Sequence, residues 1–289
     1  MGDPVISDAI LVLNAGSSSI KFAVFDSKLD QQLSGLTAEI GTAGFIEVEG
    51  ERKATPLVDH TTALRAVLQA LDSRGVKIEN LRAAAHRVVH GGKRLTAPVR
   101  INADVMAEIN ACSPLAPLHN PHNLAAIETL MKLAPDLPQF ASFDTSFHAT
   151  NPDVATRYAI PRMMETKGIR RYGFHGLSYA SMVRKLPEIS GDGLPSRLLA
   201  FHLGNGASLC AILNGQSVAT TMGYSPLEGL TMGTRVGTLD PNATLRLVEE
   251  IGLDETKVLL NNRSGLAGLS GGSSGGMSDM RALEQAGTP

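Results

Sequence analysis

Two stretches of the sequence combine small-residue turns with polar groups of the kind that bind anions. In residues 198–240 an apolar run ends at His202, and Leu203-Gly204-Asn205-Gly206 leads into a second apolar run. A glycine turn lets the backbone approach an anion, because no Cβ blocks it and turn N–H groups can point at phosphate oxygens. Arg235, set by a glycine-containing turn, can present a fixed fork of donors to phosphate or carboxylate. An ordinary hairpin with surface loops is the alternative, because glycine turns are common.

The same layout occurs in residues 10–26. Four apolar residues lead into Asn14 and a turn of small residues, an apolar run follows, and Ser19 aligns with Ser208. Two copies of one hairpin predict a duplicated fold with a nucleotide between its halves. Lys21 is the one charge in its apolar run. It fits either a cation near phosphates or a lysine that keeps an edge strand soluble.

Three further residues lie where a charge or a turn indicates a site. Arg87 lies in an apolar strand before a Gly-Gly turn, and such an arginine needs either a carboxylate partner or a bound anion. Asp144 follows a predicted strand at 139–143, and function sits at the carboxyl ends of strands in open α/β sheets; a helix-capping aspartate is the alternative. His175, between two glycines at a helix start, fits either a buried structural histidine or a donor to a phosphoryl group.

Length and composition set the class of protein. The 289 residues predict two domains, which we place at 1–150 and 151–289. The 43% hydrophobic content indicates a packed core, and the net charge of -2 argues against nucleic-acid or membrane-surface binding. Two cysteines are too few for a disulfide framework or a thiolate metal site. No apolar run reaches the ~18 residues of a membrane span, so we expect a cytoplasmic protein without membrane partners.

The hydrophobic spacing predicts strands around compact helices. We expect short strands in residues 30–58, a buried strand over 83–90, and a rigid loop over 114–121, because its three prolines exclude regular structure. His86 and His90 on that strand lack an evident third metal ligand, so structural roles are expected. The predicted helices cover residues 61–71 (capped by Asp59, Thr61 or Thr62), 104–110, 123–133, 178–186, 240–251 and 254–262.

The motifs together resemble the acetate kinase family. The resemblance rests on LNAGSSSIKF, HRVVHGG, PLAPLHNP, FDTSFH, RRYGFHG, HLGNGAS, SPLEGLTMGTRVGTLDP and SDMR, which occur in the family's order over essentially the whole chain. It implies an α/β, duplicated two-domain actin-like and sugar-kinase-like ATPase fold with ribonuclease H-like domains. The first domain would carry part of the carboxylate site, and the second would bind nucleotide. A Walker-A signature is absent, as the resemblance implies.

The resemblance also implies a role for each site residue. The activity would be reversible, direct in-line phosphoryl transfer from ATP to acetate, giving ADP and acetyl phosphate. The implied catalytic residues are Asp144, His175 and Arg235, and the implied carboxylate site is Arg87 with an alkyl pocket of Val89, Leu118 and Pro226. The implied nucleotide contacts are Lys21, His202, Leu203, Gly204, Asn205, Gly206, Asp279, Met280 and Arg281. Asn14 would contribute to a Mg²⁺ (or Mn²⁺) site.

Elementary chemistry supports these roles and refines one of them. Phosphoryl transfer depends mainly on positioning and charge stabilisation, and two anionic substrates repel unless cations lie between them. A carboxylate is already ionised at pH 7, so it needs no base to act as a nucleophile. Asp144 is therefore expected to orient an arginine or the metal shell instead of removing a proton.

One departure from the family leaves alternatives open. The family's chains continue past the position of residue 289 with a further glycine-rich loop and a metal-binding glutamate, so we expect a C-terminal truncation and an incomplete second domain. Asn14 alone is a poor Mg²⁺ ligand set. The alternatives are a propionate or butyrate kinase of the same family, or a non-catalytic nucleotide-binding remnant. A sugar kinase is disfavoured, because the implied pocket is small and apolar. A homodimer is implied.

Overall fold

The chain divides into two units, Met1–Ser146 and Phe147–Pro289. The structure, a computed structural model, describes residues 8–270 and residue 284. No helix in this described part of the chain has both the length and the apolar composition that crossing a membrane requires.

The first unit alternates strands with three helices along the chain. Its elements are β1 (Ala9–Ala15), β2 (Ser19–Phe25), β3 (Gln31–Ala38), β4 (Phe45–Val48), β5 (Glu51–Ala54), α1 (His60–Asp72), β6 (Leu81–Val88), β7 (Val99–Arg100), α2 (Ala103–Ala111), α3 (Asn120–Leu133) and β8 (Gln139–Phe143). The strands form one mixed sheet in the order β5-β4-β3-β2-β1-β6-β8-β7. The expected strands in residues 30–58 are confirmed as β3, β4 and β5.

The parallel part of this sheet places the polar residues of the first unit at one edge. Strand β1 pairs in parallel with β6, and β6 pairs in parallel with β8. Their carboxyl ends therefore meet at the same edge of the sheet. Asn14 lies at the end of β1, Arg87 at the end of β6, and Asp144 directly follows β8.

The core of the first unit lies between the sheet and its helices. Strand β1 alternates buried and half-buried residues, as expected of a pleated strand with one face on the core. Helix α1 buries Ala63, Leu64, Val67 and Leu71, and Asp59 caps it through a reciprocal bond with Thr62. The predicted helix over 61–71 is therefore confirmed.

The proline-rich segment differs from the prediction. We expected no regular structure over residues 114–121, but α3 begins at Asn120, and a short 3₁₀ helix covers Ser113–Leu115. Pro121 is the second residue of α3, where a backbone N–H has no helical acceptor and its loss costs nothing. The prediction was wrong because it treated proline as a helix breaker at every position, including the first turn.

The second unit is built around a small antiparallel sheet. Its elements are α4 (Asp153–Thr156), α5 (Met163–Thr166), α6 (Gly176–Ser190), β9 (Arg197–Leu203), β10 (Ala207–Leu213), β11 (Gln216–Thr220), α7 (Pro241–Ile251), α8 (Leu253–Asn262) and α9 (Gly265–Leu269). The sheet order is β11-β10-β9, with β10 in the centre. Tyr179 of α6 packs with Ala200, Cys210 and Ile212 of the sheet in the core. The predicted hairpin is confirmed as β9 and β10.

Candidate active site

The carboxyl end of β6 presents an arginine that is oriented by an aspartate. Arg87 Nε and Nη2 donate to the two carboxylate oxygens of Asp144 at 3.0 and 2.5 Å. Arg87 Nη1 donates to Asn14 Oδ1 at 2.9 Å. The carboxylate partner of Arg87, one of the two options that the sequence left open, is therefore Asp144. The alternative of a helix cap does not describe this carboxylate, because both of its oxygens face the guanidinium.

The burial of this pair is unequal. The Asp144 side chain is 3% exposed, whereas that of Arg87 is 34% exposed. A guanidinium has five N–H donors. Asp144 takes two and Asn14 takes one, which leaves one N–H on each terminal nitrogen of Arg87 for another acceptor. A substrate carboxylate can accept from two such donors, so the pair forms an oriented cation with the capacity to bind an anion.

The residues predicted for the alkyl pocket belong to different units. Val89 directly follows β6 and is buried, whereas Leu118 is 50% exposed. Both belong to the first unit, and Pro226 belongs to the second. In the second unit, the Pro226 carbonyl accepts a bond of 3.0 Å from Arg235 Nη1. The pocket itself remains a prediction.

Two buried asparagines hold the loops around Val89, and the sequence analysis missed both. Asn123 Oδ1 accepts from the Val89 N–H at 3.1 Å, and Asn123 Nδ2 donates to the Ala15 carbonyl at 2.7 Å. Asn120 accepts from the His90 N–H and donates to the His90 carbonyl, both at 3.0 Å. Helix α3 thereby fixes the carboxyl ends of β1 and β6. Two asparagines three residues apart on a helix with an apolar face were the available signal.

Lys21 lies opposite Asn14 in the first hairpin. The register of β1 and β2 pairs the two residues directly. Strand β2 is not an edge strand, because β1 and β3 flank it. The solubility explanation for Lys21, which requires an edge strand, is therefore wrong. Lys21 is exposed on an interior strand, near the turn that the sequence analysis assigned to phosphate binding.

His175 lies beside the hairpin formed by β9 and β10. His175 caps α6 in the left-handed conformation (φ 60°), which is uncommon for a residue with a Cβ. Its Nδ1 is 2.9 Å from Ser208 Oγ on β10. Its ring stacks on that of His202, with centroids 3.9 Å apart.

Gly206 brings the backbone of the hairpin turn close to two predicted catalytic side chains. A Cβ added at Gly206 would lie 3.2 Å from His175 Nε2 and 3.3 Å from Arg235 Nη1. The turn is closed by a bond of 3.0 Å from the Gly204 N–H to the Gly206 carbonyl. A further bond of 3.0 Å from the Gly233 N–H to the Asn205 carbonyl ties the turn to the segment that carries Arg235. His175, Arg235 and the predicted nucleotide-binding turn are therefore neighbours.

The buried histidines have structural roles. His86 Nε2 lies 2.8 Å from Gln139 Oε1, and His90 Nδ1 accepts from the Gly92 N–H at 2.9 Å. Burial lowers the pKa of His86 and of His90 to about 4, so both are neutral at pH 7. Structural roles, which the sequence analysis expected for both, agree with these contacts.

The described residues do not fit a protein-bound Mg²⁺. Mg²⁺ takes oxygen ligands in octahedral geometry. The Asn14 oxygen, which was the predicted ligand, already faces the cationic Arg87 at 2.9 Å, and both Asp144 oxygens face the same group. Residues 8–270 contain no cluster of three histidine, cysteine or acidic side chains that could hold a metal ion. The predicted contacts Asp279, Met280 and Arg281 lie outside the described residues.

The sequence pattern of the Acetokinase family matches residues 9–288. The chain belongs to the acetokinase family. The acetate kinase of Deinococcus deserti is 48% identical over 96% of the chain, and the chain covers 70% of that protein. The crystal structure of Porphyromonas gingivalis acetate kinase superposes with a TM-score of 0.85 at 37% identity, covering 97% of the chain and 74% of that protein.

A further acetokinase-like structure is a propionate kinase from Francisella tularensis. It superposes with a TM-score of 0.90 at 35% identity, again covering 97% of the chain and 74% of that protein. The α/β acetate and propionate kinase fold that the resemblance implied is therefore confirmed. The family membership that the motifs indicated is confirmed as well.

Proposed function

We propose that the protein is an ATP-dependent kinase that phosphorylates acetate. A carboxylate oxygen of acetate attacks the γ-phosphorus of ATP, the bond from that phosphorus to the β–γ bridging oxygen breaks, and the bridging oxygen leaves with ADP. The products are acetyl phosphate and ADP, and the reaction is reversible. Membership of the acetokinase family supports the activity, and the oriented Arg87 is the observation that carries the proposal for the site.

Arg87 would bind the carboxylate with the two N–H groups that remain after its bonds to Asp144 and Asn14. Acetate is ionised at pH 7, so Asp144 has no proton to remove from it. The bidentate contact with Arg87 supports an orienting role for Asp144. Val89, Leu118 and Pro226 would line the alkyl pocket. Discrimination by one methylene is worth only about 1–3 kcal/mol, so we expect activity with propionate as well.

In the second unit, His175 and Arg235 would bind the transferred phosphoryl group beside the turn at Gly206. Lys21 in the first unit, and His202, Leu203, Gly204 and Asn205 in the second, complete the proposed phosphate contacts. We assign Mg²⁺ or Mn²⁺ to the substrate as metal-bound ATP, because the oxygens of Asn14 and Asp144 are paired with Arg87. A homodimer and a cytoplasmic location, implied by the resemblance, also belong to the proposal, and equilibrium sedimentation tests the former.

The test is the formation of acyl phosphate from MgATP and acetate, trapped with hydroxylamine. The chain and its Arg82→Ala variant should form the product, because Arg82 is an exposed residue of the same strand. Arg87→Ala should lower kcat/KM for acetate by about 10³-fold or more. Folded protein without turnover would contradict the proposal and favour a nucleotide-binding role. Parallel assays with propionate and butyrate rank the acids.

A further inference from the structure

A line of hydroxyl groups leads from the core of the second unit to His175. Tyr179 Oη on α6 is 2.5 Å from Ser208 Oγ on β10, and Ser208 Oγ is 2.9 Å from His175 Nδ1. Tyr179 is 1% exposed, and Ser208 is fully buried. None of the roles proposed above involves Tyr179 or Ser208.

The donors in this line have one consistent direction. Burial raises the pKa of Tyr179 to about 12, so the phenol keeps its proton at pH 7 and can donate it to Ser208 Oγ. Ser208 has a single hydroxyl hydrogen. When Ser208 accepts from Tyr179, its own hydrogen is directed to His175 Nδ1. A neutral imidazole that accepts at Nδ1 carries its proton on Nε2.

The nitrogen that would carry this proton is the one at the hairpin turn. His175 Nε2 approaches Gly206 together with Arg235 Nη1, as the short distances to an added Cβ show. The ring of His202 stacks on that of His175, and the Arg235 guanidinium faces the same turn.

In a second serine–histidine pair of the same unit, hydrogen bonds are donated in the same direction. Ser217 Oγ lies 2.8 Å from His148 Nδ1, and His148 Nε2 lies 2.9 Å from the Phe174 carbonyl. A carbonyl accepts only, so His148 Nε2 must carry the hydrogen and Ser217 must donate to Nδ1. Cys210 Sγ lies 3.3 Å from Ser217 Oγ, and so contacts this serine as Tyr179 contacts Ser208. The fold thus uses one hydrogen-bonding pattern at both histidines.

We propose that Ser208 and Tyr179 are positioning residues, which hold neutral His175 with its proton on Nε2 so that the ring donates to a phosphoryl oxygen at the Gly206 turn. This inference rests on the proposed kinase function for the phosphoryl group, but the tautomer itself is a property of the free protein. Neither residue touches the substrate in this assignment. Ser208 acts through His175, and Tyr179 acts through Ser208.

The tautomer can be measured without turnover. In protein labelled with ¹⁵N-histidine, long-range proton–nitrogen correlation spectra distinguish protonated from unprotonated ring nitrogens, and the His175→Gln spectrum assigns the signals. We expect a protonated Nε2 and an unprotonated Nδ1 in the wild type. Ser208→Ala should shift His175 toward the Nδ1-protonated form. A wild-type ring with its proton on Nδ1 would overturn the proposal, whether or not the chain makes acetyl phosphate.

Kinetics test the consequence for catalysis. Ser208→Ala should lower kcat by about tenfold or more, and Tyr179→Phe by a few-fold, with KM for ATP and acetate changed by less than about threefold. The double variant should be no slower than Ser208→Ala, because both act through one ring nitrogen. Additive losses of kcat in the double variant would contradict the proposed action of Tyr179 through Ser208. Equal losses in kcat and in substrate affinity would contradict it as well.

Two matched variants separate positioning from folding. Ser217→Ala removes the equivalent serine beside His148, and Tyr172→Phe removes a phenol whose hydroxyl donates to the Gly168 carbonyl at 3.0 Å. Both should lower Tm while the His175 signals stay as in the wild type. A change in the His175 tautomer in these variants as large as in Ser208→Ala would show that general loosening of the unit explains the effect, and would overturn the proposal.

Discussion

The clusters around Arg87 and His175 orient their hydrogen-bond donors by different interactions, an ion pair in the first and neutral hydrogen bonds in the second. In the first unit, the buried Asp144 carboxylate accepts two hydrogen bonds from the partly exposed Arg87 guanidinium, and the amide oxygen of Asn14 accepts a third. In the second unit, the neutral Ser208 hydroxyl bonds to one ring nitrogen of His175, and the Tyr179 hydroxyl bonds in turn to Ser208. The first arrangement fixes the direction of a permanent charge. The second selects which atom of a neutral ring carries a proton.

This difference matches the two tasks of the proposed reaction. Acetate carries a full charge before and after binding, so a fixed cation suits it in the ground state. The transferred phosphoryl group spreads its charge over three equatorial oxygens in the transition state, and an aimed neutral donor stabilises that arrangement. We therefore expect substitutions around Arg87 to raise KM for acetate strongly, and substitutions around His175 to act mainly on kcat.

The largest effect that tests the comparison is expected for Asp144→Asn. The asparagine amide can accept from Arg87 only at its oxygen, because its nitrogen is a donor. The guanidinium therefore loses its bidentate partner and its fixed orientation. We expect kcat/KM for acetate to fall by about 10²-fold, with most of the change in KM. Steady-state kinetics with varied acetate measure this.

The double variant Arg87→Ala/Asp144→Asn gives the control. If Asp144 works only through Arg87, the double variant should be no slower than Arg87→Ala alone. A further loss in the double variant would mean that Asp144 acts on the substrates directly. In that case the contrast between an oriented charge and an aimed neutral donor would not describe the first unit.

Much of this arrangement could be predicted from the sequence, because the signals are local. The Gly-Gly turn after Arg87, the polar residue after β8 and the glycine turn after His202 each mark the carboxyl end of a strand. The parallel pairing of β1, β6 and β8 then brings Asn14, Arg87 and Asp144 to one edge. The helix capped by Asp59 was predictable because capping and apolar periodicity lie within a few residues of each other.

The partners of these residues could not be predicted in the same way. Ser208 and Asn123 bond to atoms 33 and 108 residues away, and no local pattern encodes such distances. The role of Lys21 depended on which strands flank β2, which only the sheet order decides. The start of α3 was misjudged for a different reason: the composition of PLAPLHNP was read without considering which helical position each proline would occupy.

An intermediate effect is expected for Gly206→Ala, which tests the second unit. The new Cβ would lie within 3.3 Å of both His175 Nε2 and Arg235 Nη1, so one of these side chains must move. We expect kcat to fall by about tenfold, since small displacements of catalytic donors are costly. Gly204→Ala is the matched variant for kcat at saturating ATP, because its Cβ would lie at 3.6 Å from the Gly206 carbonyl, an ordinary contact that leaves His175 and Arg235 in place. A loss in Gly204→Ala as large as in Gly206→Ala would contradict crowding of the two donors.

The last difference between the two units concerns stability in acid and not catalysis. Burial lowers the pKa of His86 and His90 in the first unit, and of His148 in the second, to about 4. An unfolded histidine binds a proton near pH 6.5, so between pH 6.5 and 4 the unfolded chain binds more protons than the folded one. Stability must then fall as the pH falls through this range, by about 2 kcal/mol per histidine at pH 5.

Urea unfolding at pH 7 and pH 5 measures this difference, because two optical probes separate the units. All four tyrosines lie between residues 158 and 224, and the chain has no tryptophan, so intrinsic fluorescence reports the second unit. Far-ultraviolet circular dichroism reports both units. We expect the dichroism midpoint to shift further than the fluorescence midpoint, because the first unit loses stability through two histidines and the second through one.

His86→Gln is the control variant, and it should reduce the shift of the dichroism midpoint and leave the shift of the fluorescence midpoint unchanged. Equal shifts in both probes for the wild type would contradict the assignment of buried neutral histidines.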